Sequence, residues 1–439
     1  VRRLAIALLV AAGGLGLAAQ GASAAPEPSE PAAALAPVDV LQVSGLVDEI
    51  VVDEIDRAIV RAEADGSQAL ILQMNTRASV VGRDAMRDLY RRIAAAEVPV
   101  AIWVGPSGAR LYGLPAQLLS AADATGVAPG ARIGRTGTPL VDTVDLGQAT
   151  EQLRTESLGF QDARRLGALK LGISDEGVPT IRNMVFALDG LTVDGVTLDT
   201  AVERVDEDGT VSNDITTVRF FKLGLLAQLF HTVASPPVAY LLLTIGLALL
   251  VFEFFTAGVG VAGLVGAACV VLGGYGVGVL PTRGWAIGLL LFAFVAFAVD
   301  VQVGIPRLWT GVGLVSYIVA SFFLFEPADQ TVLRPSWLTL LVGIGGVAIT
   351  FVSGMPSMTR TRFATPTIGR EWMIGQMGTA AGNLDPEGTV RLGAATWRAR
   401  TNRATPIRAG DPVRVVAIDG ITLEVEPAEG GARDYRERR

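Results

Sequence analysis

One apolar block dominates the pattern of the chain. From about Pro236 to about Met355, hydrophobic residues run on with almost no polar face. Crossing about 30 Å of hydrocarbon takes roughly 20 mostly apolar helical residues. Five stretches meet or approach this: 238–254, 259–280, 285–301, 312–325 and 338–352, the last two being short. Glycine and proline separate them, and glycine recurs inside them, as close helix packing in lipid allows. Soluble helices would alternate with polar faces, so residues 236–355 are expected to form an α-helical membrane block of about five helices. The first two are joined only by Phe255-Thr256-Ala257-Gly258, a tight hairpin.

Ahead of the block, short apolar runs alternate with amphipathic stretches. Residues 38–43 read as a strand. Residues 48–64 place Val51 or Val52, Ile55, Ile59 and Ala62 on one helical face. An apolar strand follows at 69–74, then a helix with Met86, Leu89, Tyr90 and Ile93 on one face. A buried strand at 98–104, a helix around 114–122 and a short strand at 124–128 continue the series. Fully apolar strands alternating with helices imply a parallel sheet covered on both faces. Residues 38–215 are therefore expected to form an α/β domain. Arg164, Arg165 and Lys170 fall on a further helix and read as a basic surface. Val193-Asp194-Gly195-Val196 is a hairpin signal, and 203–214 reads as a polar, acidic lead into the membrane. Behind the block, residues 370–427 hold five short strands with turns at Asp385-Pro386-Glu387-Gly388 and Asp419-Gly420, the pattern of a small all-β barrel. Residues 428–439 are a charged tail.

Composition narrows the chemistry. Acids outnumber bases, 43 against 36, for a net charge of -7, which argues against nucleic acid as a partner. The single cysteine, Cys269, lies in an expected span, so no disulfide framework exists. The single histidine, His231, sits at the membrane edge and reads as an interfacial residue. Its position excludes a Ser-His-Asp triad in the α/β domain, and its solitude excludes the usual zinc site. No metal or cofactor is expected. Arg2 and Arg3, an apolar run over 4–19 and Ala22-Ser23-Ala24 form a signal-peptide pattern over 1–24, with an uncleaved anchor helix as the alternative. Residues 25–37 are a Pro/Ala/Glu-rich linker. Arg360, Arg362 and Arg370 follow the last span with no acid before Glu371. Positive residues stay cytoplasmic, which puts the C-terminal domain inside and, with five crossings, the N-terminal domain outside a cell membrane. Arg219 and Lys222, just ahead of the first span, pull mildly the other way.

Several segments carry a family resemblance. Val98-Pro99-Val100 through Pro106-Ser107-Gly108-Ala109-Arg110, then Ala121-Ala122-Asp123, then Ala128-Pro129-Gly130-Ala131-Arg132-Ile133-Gly134 resemble the NfeD family in order and spacing. The stretch Leu249 to Gly260 is similar to the family's acidic residue before a Gly-rich hairpin. So are Gly375-Gln376-Met377-Gly378, Pro386-Glu387-Gly388, Val413-Arg414-Val415-Val416 and Asp419-Gly420 to its C-terminal domain. The resemblance implies a multi-domain fold: an α/β ClpP/crotonase-like serine protease ectodomain, an α-helical membrane block and a small all-β OB-fold barrel. It also implies a stomatin/flotillin-type membrane partner and a role in organising membrane microdomains or their quality control. Self-association is left open.

The family's chemistry, as the resemblance implies it, is a Ser–Lys dyad with a glycine-rich oxyanion loop. A serine hydroxyl needs a base, and a desolvated lysine can be one; backbone amides then hold the oxyanion. The run Leu111-Tyr112-Gly113-Leu114-Pro115 places Gly113 at the expected nucleophile. The expected oxyanion loop reads Asn75-Thr76-Arg77-Ala78-Ser79, without its glycines. Arg154 stands near the expected lysine, and the only lysines are Lys170 and Lys222. Arginine stays protonated and cannot act as the base. Three departures together point to a protease homologue without catalytic residues, acting as a scaffold or adaptor. The alternative is a membrane-anchored serine protease with a relocated nucleophile, Ser107, Ser79 or Ser120, each of which also reads as an ordinary turn or helix-surface serine. Glu253, the acid inside the first pair of spans, is either a functional intramembrane group or a cap on the short hairpin. A transport accessory role is weaker, because paired broken helices are missing.

Overall fold

The computed structural model describes residues 35–170, 177–205, 211–256, 260–303, 307–328, 331–358, 370–401 and 406–429. The expected signal peptide and nearly all of the charged tail lie outside the described residues.

The N-terminal domain is an eight-stranded, mostly parallel sheet with helices packed on it. Strand β1 (Val38–Val47) leads to helix α1 (Glu49–Ala64), which Asp48 caps by accepting the Val51 amide at 2.9 Å. Strand β2 (Ala69–Ser79) and helix α2 (Arg83–Ala94) follow, with Met86, Leu89, Tyr90 and Ile93 buried as the periodicity requires. Strands β3 (Val100–Val104), β4 (Arg110–Tyr112), β5 (Ala124–Val127), β6 (Arg132–Gly134) and β7 (Ser157–Gly159) complete that side. β2 is shared: its first half pairs with β3, and Thr76 in its second half pairs with Leu111 of β4. The helix expected around 114–122 is a 3-10 turn (Leu114–Gln117) and a single α turn, α3 (Leu118–Ala121). Pro115 buries its ring at the first turn, where its missing amide costs nothing. Asp123 accepts the Val100 amide at 2.8 Å and so ties β3 to the end of α3. Helices α4 (Thr150–Leu153), α5 (Phe160–Arg165) and α6 (Ile181–Leu188) are short. Lys170 lies beyond α5, off the helix expected to carry it.

The expected hairpin at 193–196 is present as β8 (Thr192–Val193) and β9 (Val196–Thr197). The segment read as a polar lead is a second hairpin, β10 (Ala201–Val205) and β11 (Val211–Ile215). The chain then returns to the sheet: β12 (Val218–Phe221) pairs with β1 beyond residue 215. Arg219 of β12 stands opposite buried Asp39, with its Nε and Nη2 at 2.7 and 3.0 Å from the carboxylate, and its Nη1 reaches Asp65 at 3.1 Å. Its charge is thus neutralised within the N-terminal domain.

Helix α7 (Leu225–Val233) precedes the membrane block: α8 (Pro236–Thr256), α9 (Val261–Val279), α10 (Gly284–Val301), α11 (Leu308–Phe323) and α12 (Trp337–Ile349, continuing as a π turn). Of the five helices, four are long and apolar enough, among the described residues, to cross a membrane by length and composition, and α11 is the shorter apolar one. At 16 residues, α11 is about 24 Å long, short of the hydrocarbon thickness. It nonetheless packs along α10, since a Cβ on Gly313 would meet the Ala293 carbonyl at 3.0 Å. Its end returns to the start of α10, where Arg283 N bonds Leu324 O at 3.0 Å. Glycine sets the α8–α9 spacing: a Cβ on Gly273 would sit 2.6 Å from Leu243 N. Polar glue joins α8 to α11. Tyr240 and Tyr317 share a 2.6 Å hydrogen bond, with Ser321 and Thr244 completing a fully buried cluster. The C-terminal domain is a closed five-stranded barrel, β13 (Met377–Ala380), β14 (Glu387–Leu392), β15 (Ala395–Thr401), β17 (Thr422–Pro427), β16 (Pro412–Asp419), consistent with an OB fold.

The sheet's C-terminal edge sits on the membrane block. Leu46, next to last in β1, and Val80, just past β2, pack against the block's core, and Thr331 Oγ1 donates to Arg77 O at 3.0 Å. From α7, His231 meets Asp48 Oδ2 (2.8 Å) with Nδ1 and Ser44 O (2.8 Å) with Nε2. Gly45, at φ +92°, lets the strand come this close: a Cβ there would be 2.9 Å from the imidazole. His231 is therefore no bland interfacial residue but the hinge pin between α1 and the membrane. Both its ring nitrogens face acceptors, and the Asp48 hydrogen bond raises its pKa above the usual histidine value against the opposing effect of burial. Replacing it (His231→Ala) should cost this joint about 1.5–3 kcal/mol, because Asp48 keeps a buried oxygen without its charged partner. A raised folded pKa gives stability that is complete below about 6.5, the unfolded value, and is lost as pH climbs through the raised value. Hydrogen exchange in the first turn of α1, corrected for its intrinsic rate, should accelerate across that window in the full-length chain and stay flat in His231→Ala.

Candidate functional site

The site expected from the sequence lies where β4, β6 and the 3-10 turn meet. Gly113 is its corner, at φ 73° and ψ -153°. Its amide donates to Gly134 O at 3.2 Å and its carbonyl accepts from Ala116 N at 3.1 Å, starting the turn. That backbone region is essentially glycine-only, so the residue type follows from the local geometry.

The expected oxyanion loop is not a loop. Asn75 to Ser79 continue β2 and pair with β1, in register from Ser44↔Asn75 to Val47↔Ser79 across a bulge. Asn75 Oδ1 also accepts the Arg110 amide at 3.0 Å. Thr76 is fully buried with no partner for its hydroxyl among the described residues. Without the glycines, nothing in this segment turns the chain out of extended conformation.

A strap over residues 136–140 lies across the turn that begins at Gly113. Gln117, one turn on and 1% exposed, donates from Nε2 to Thr136 O (2.8 Å) and Thr138 O (2.9 Å), and accepts the Leu140 amide at 2.7 Å. From α2, Arg83 donates to Pro139 O at 2.7 Å and Arg87 to Leu140 O at 3.1 Å. A buried glutamine with three satisfied bonds is a strong tether, since each bond broken would strand a polar group. Nothing in the residue pattern marked Gln117. Its isolation in the apolar run 114–122 was the available signal, because a buried amide must find partners.

Arg154 ends α4. It pairs with Glu151 at 3.1 Å, and its carbonyl accepts the Gly137 amide at 3.1 Å. The three alternative serines are separated. Ser107 is exposed in the loop before β4. Ser79 is buried, its hydroxyl facing Val81 O at 3.3 Å. Ser120 Oγ lies 3.2 Å from Tyr90 Oη and accepts the Asp145 amide at 2.9 Å. Lys170 Nζ contacts the carbonyl of Ser120 at 3.1 Å and that of Ala122, not a hydroxyl.

Glu253 Oε1 accepts the Gly260 amide at 2.9 Å, at the N-cap of α9. A second acid, which the sequence reading passed over, does the same for the next hairpin. Asp300 is 4% exposed at the end of α10 and accepts the amides of Arg307 (2.9 Å) and Thr310 (2.7 Å) at the start of α11. Each acid reaches an amide seven residues on, so the shared spacing was the available signal.

The family comparisons bear on these parts. Residues 237–355 match the NfeD integral membrane domain, and residues 370–427 match the NfeD-like C-terminal, partner-binding domain. These two segments are NfeD domains. The chain is also homologous to the membrane-bound protease PH1510 of Pyrococcus horikoshii, 27% identical over 432 residues, covering 90% of this chain and 95% of that protein. Among solved structures, the 1510-N membrane protease specific for a stomatin homolog, from the same organism, is 23% identical, covering 45% of this chain and 98% of that one at a TM-score of 0.34. The C-terminal domain of the stomatin operon partner protein 1510-C, also from P. horikoshii, is 42% identical, covering 14% of this chain and 94% of that one at a TM-score of 0.13. The chain is thus a membrane protein homologous to a membrane-bound protease and carrying a partner-binding NfeD domain.

If Gln117 holds the strap, Gln117→Ala should release it. Limited proteolysis of the full-length chain should then cut within 136–140 at a rate at least several-fold above wild type, and cutting at other loops should stay unchanged.

Proposed function

We propose that this NfeD-type chain is a non-catalytic scaffold: an ectodomain descended from a membrane-bound protease, joined to a membrane block and to a barrel that engages a stomatin/flotillin-type membrane protein. The observation that carries this reading is the combination at the turn. Gly113 offers no hydroxyl, the segment that should present oxyanion amides belongs to strand β2 with a bulge at Arg77-Ala78, and the strap held by Gln117 lies over the turn. Acyl transfer needs a nucleophile, a base within hydrogen-bond reach and free amides aimed at the oxyanion. Among the described residues at this turn, Gly113 supplies no hydroxyl and no lysine lies beside it. The reading of the partner rests on the homologous stomatin-operon proteins and on the barrel's surface, where Trp372, Ile374 and Met377 are exposed apolar side chains. These suit a protein contact.

We place the ectodomain outside and the barrel inside. The loops after α9 and α11 both face the ectodomain, as the Arg283–Leu324 and Thr331–Arg77 contacts require. The chain leaves α12 at the other end, ahead of Arg360, Arg362 and Arg370. The second reading, a relocated nucleophile, is favoured at one place: Lys170 lies beside Ser120.

A fluorophosphonate probe decides between them. The full-length chain in nanodiscs should show no serine labelling, and neither should Gly113→Ser, which restores a hydroxyl without its base. Labelling of wild type that Ser120→Ala abolishes would make Ser120 the nucleophile. Labelling lost with Ser107→Ala would assign that role to Ser107. Either result would overturn the scaffold reading.

A further inference from the structure

We infer that α7 is a two-faced interfacial helix that lies in the outer headgroup layer of the bilayer and seats the ectodomain's sheet edge on lipid. One face is apolar and open: Leu225, Leu226 and Leu229 are 89%, 67% and 46% exposed. At 100° per residue these three share one side of the helix, and His231 lies on the opposite side. There His231 bonds Asp48 and Ser44 of the ectodomain. A helix with one side committed to the protein and three leucines on the other needs an occupant for them.

Depth identifies the occupant as lipid. Phe230 of α7 packs edge-on against Tyr275 of α9 with ring centroids 4.8 Å apart. A Cβ on Gly276 would meet Val233 O at 2.4 Å. Tyr275 is four residues from the end of α9, and at 1.5 Å per residue α7 therefore lies about 6 Å inside the end of that span. This is the depth at which amphipathic helices rest, roughly 5–10 Å into the boundary of headgroups and acyl chains. Two residues, Ala234 and Ser235, separate α7 from α8, so α7 is held at the start of the first span. Exposed Lys222 precedes the helix, placed for a lipid phosphate. Sequence reading stopped at the span boundary because α7, nine residues long, is too short to cross.

Spin-label accessibility in the full-length chain tests the placement. Single cysteines replace Leu225, Leu226, Leu229, Gln228 and Ser107 in turn, in a Cys269→Ala background, and each variant is labelled with a nitroxide in nanodiscs. High oxygen access with nickel-chelate access several-fold below that at Ser107 is expected at the three leucine positions, and more water contact at Gln228. Chelate access at the leucines equal to that at Ser107 would put the face in water and overturn the inference. Low access to both reagents would put it against protein, a second copy of the chain included, and would overturn it equally.

Discussion

The structure depends on β2 remaining a strand for its whole length. Eleven residues of strand, bulged at Arg77-Ala78, let β2 serve β3 with its first half and β4 with its second, so the sheet divides around it. The same continuity carries the chain straight into the membrane block, where Val80 packs and Arg77 accepts from Thr331. A catalytic cleft at this edge would need the strand to break, with glycines freeing amides for an oxyanion. Arg77 and Ala78 stand in that stretch as a bulge in the β1 ladder, which resumes at Val47↔Ser79, and the Arg77 carbonyl accepts from Thr331. On the proposed scaffold reading, the closed edge and the seat on the membrane block come from the same strand.

The seat is assembled from few residues. Asp48 does two jobs, capping α1 with one carboxylate oxygen and holding His231 with the other. Gly45 admits the imidazole, and α7 carries it at the level of the span ends. Inside the block the polar groups obey the rule that lipid enforces, partner or be expelled. Tyr240, Tyr317, Ser321 and Thr244 bond one another, and Glu253 and Asp300 each cap the helix after their own. Acids in these positions serve backbone amides that a short connection would otherwise leave bare.

Much of this was legible in the sequence. Apolar continuity gave the block, apolar strands alternating with helices gave the parallel sheet, and turn chemistry gave the barrel. Glycine at the expected nucleophile position could be read from one residue. The surroundings of Gly113 could not. Gln117 sits in an apolar run, and its three partners come from a segment about twenty residues on that no periodicity marks. Residues 203–214 looked like a polar lead because their sequence shows little apolar alternation, although β10 and β11 pair there. The return of β12 to the sheet rests on Arg219 meeting Asp39 across about 180 residues, a pairing local pattern cannot show. His231 seemed bland for the same reason: its partners, Asp48 and Ser44, are distant in sequence and adjacent only once the sheet edge is seated.

Hydrogen exchange over residues 75–79 in the full-length chain, reconstituted in nanodiscs, tests the central claim most directly. If this segment is strand seated on the membrane block, its protection should match that of residues 70–74 in the same strand. Exchange at the rate of an open loop, with 70–74 still protected, would mean that the edge opens as a cleft and would contradict the closed, non-catalytic account.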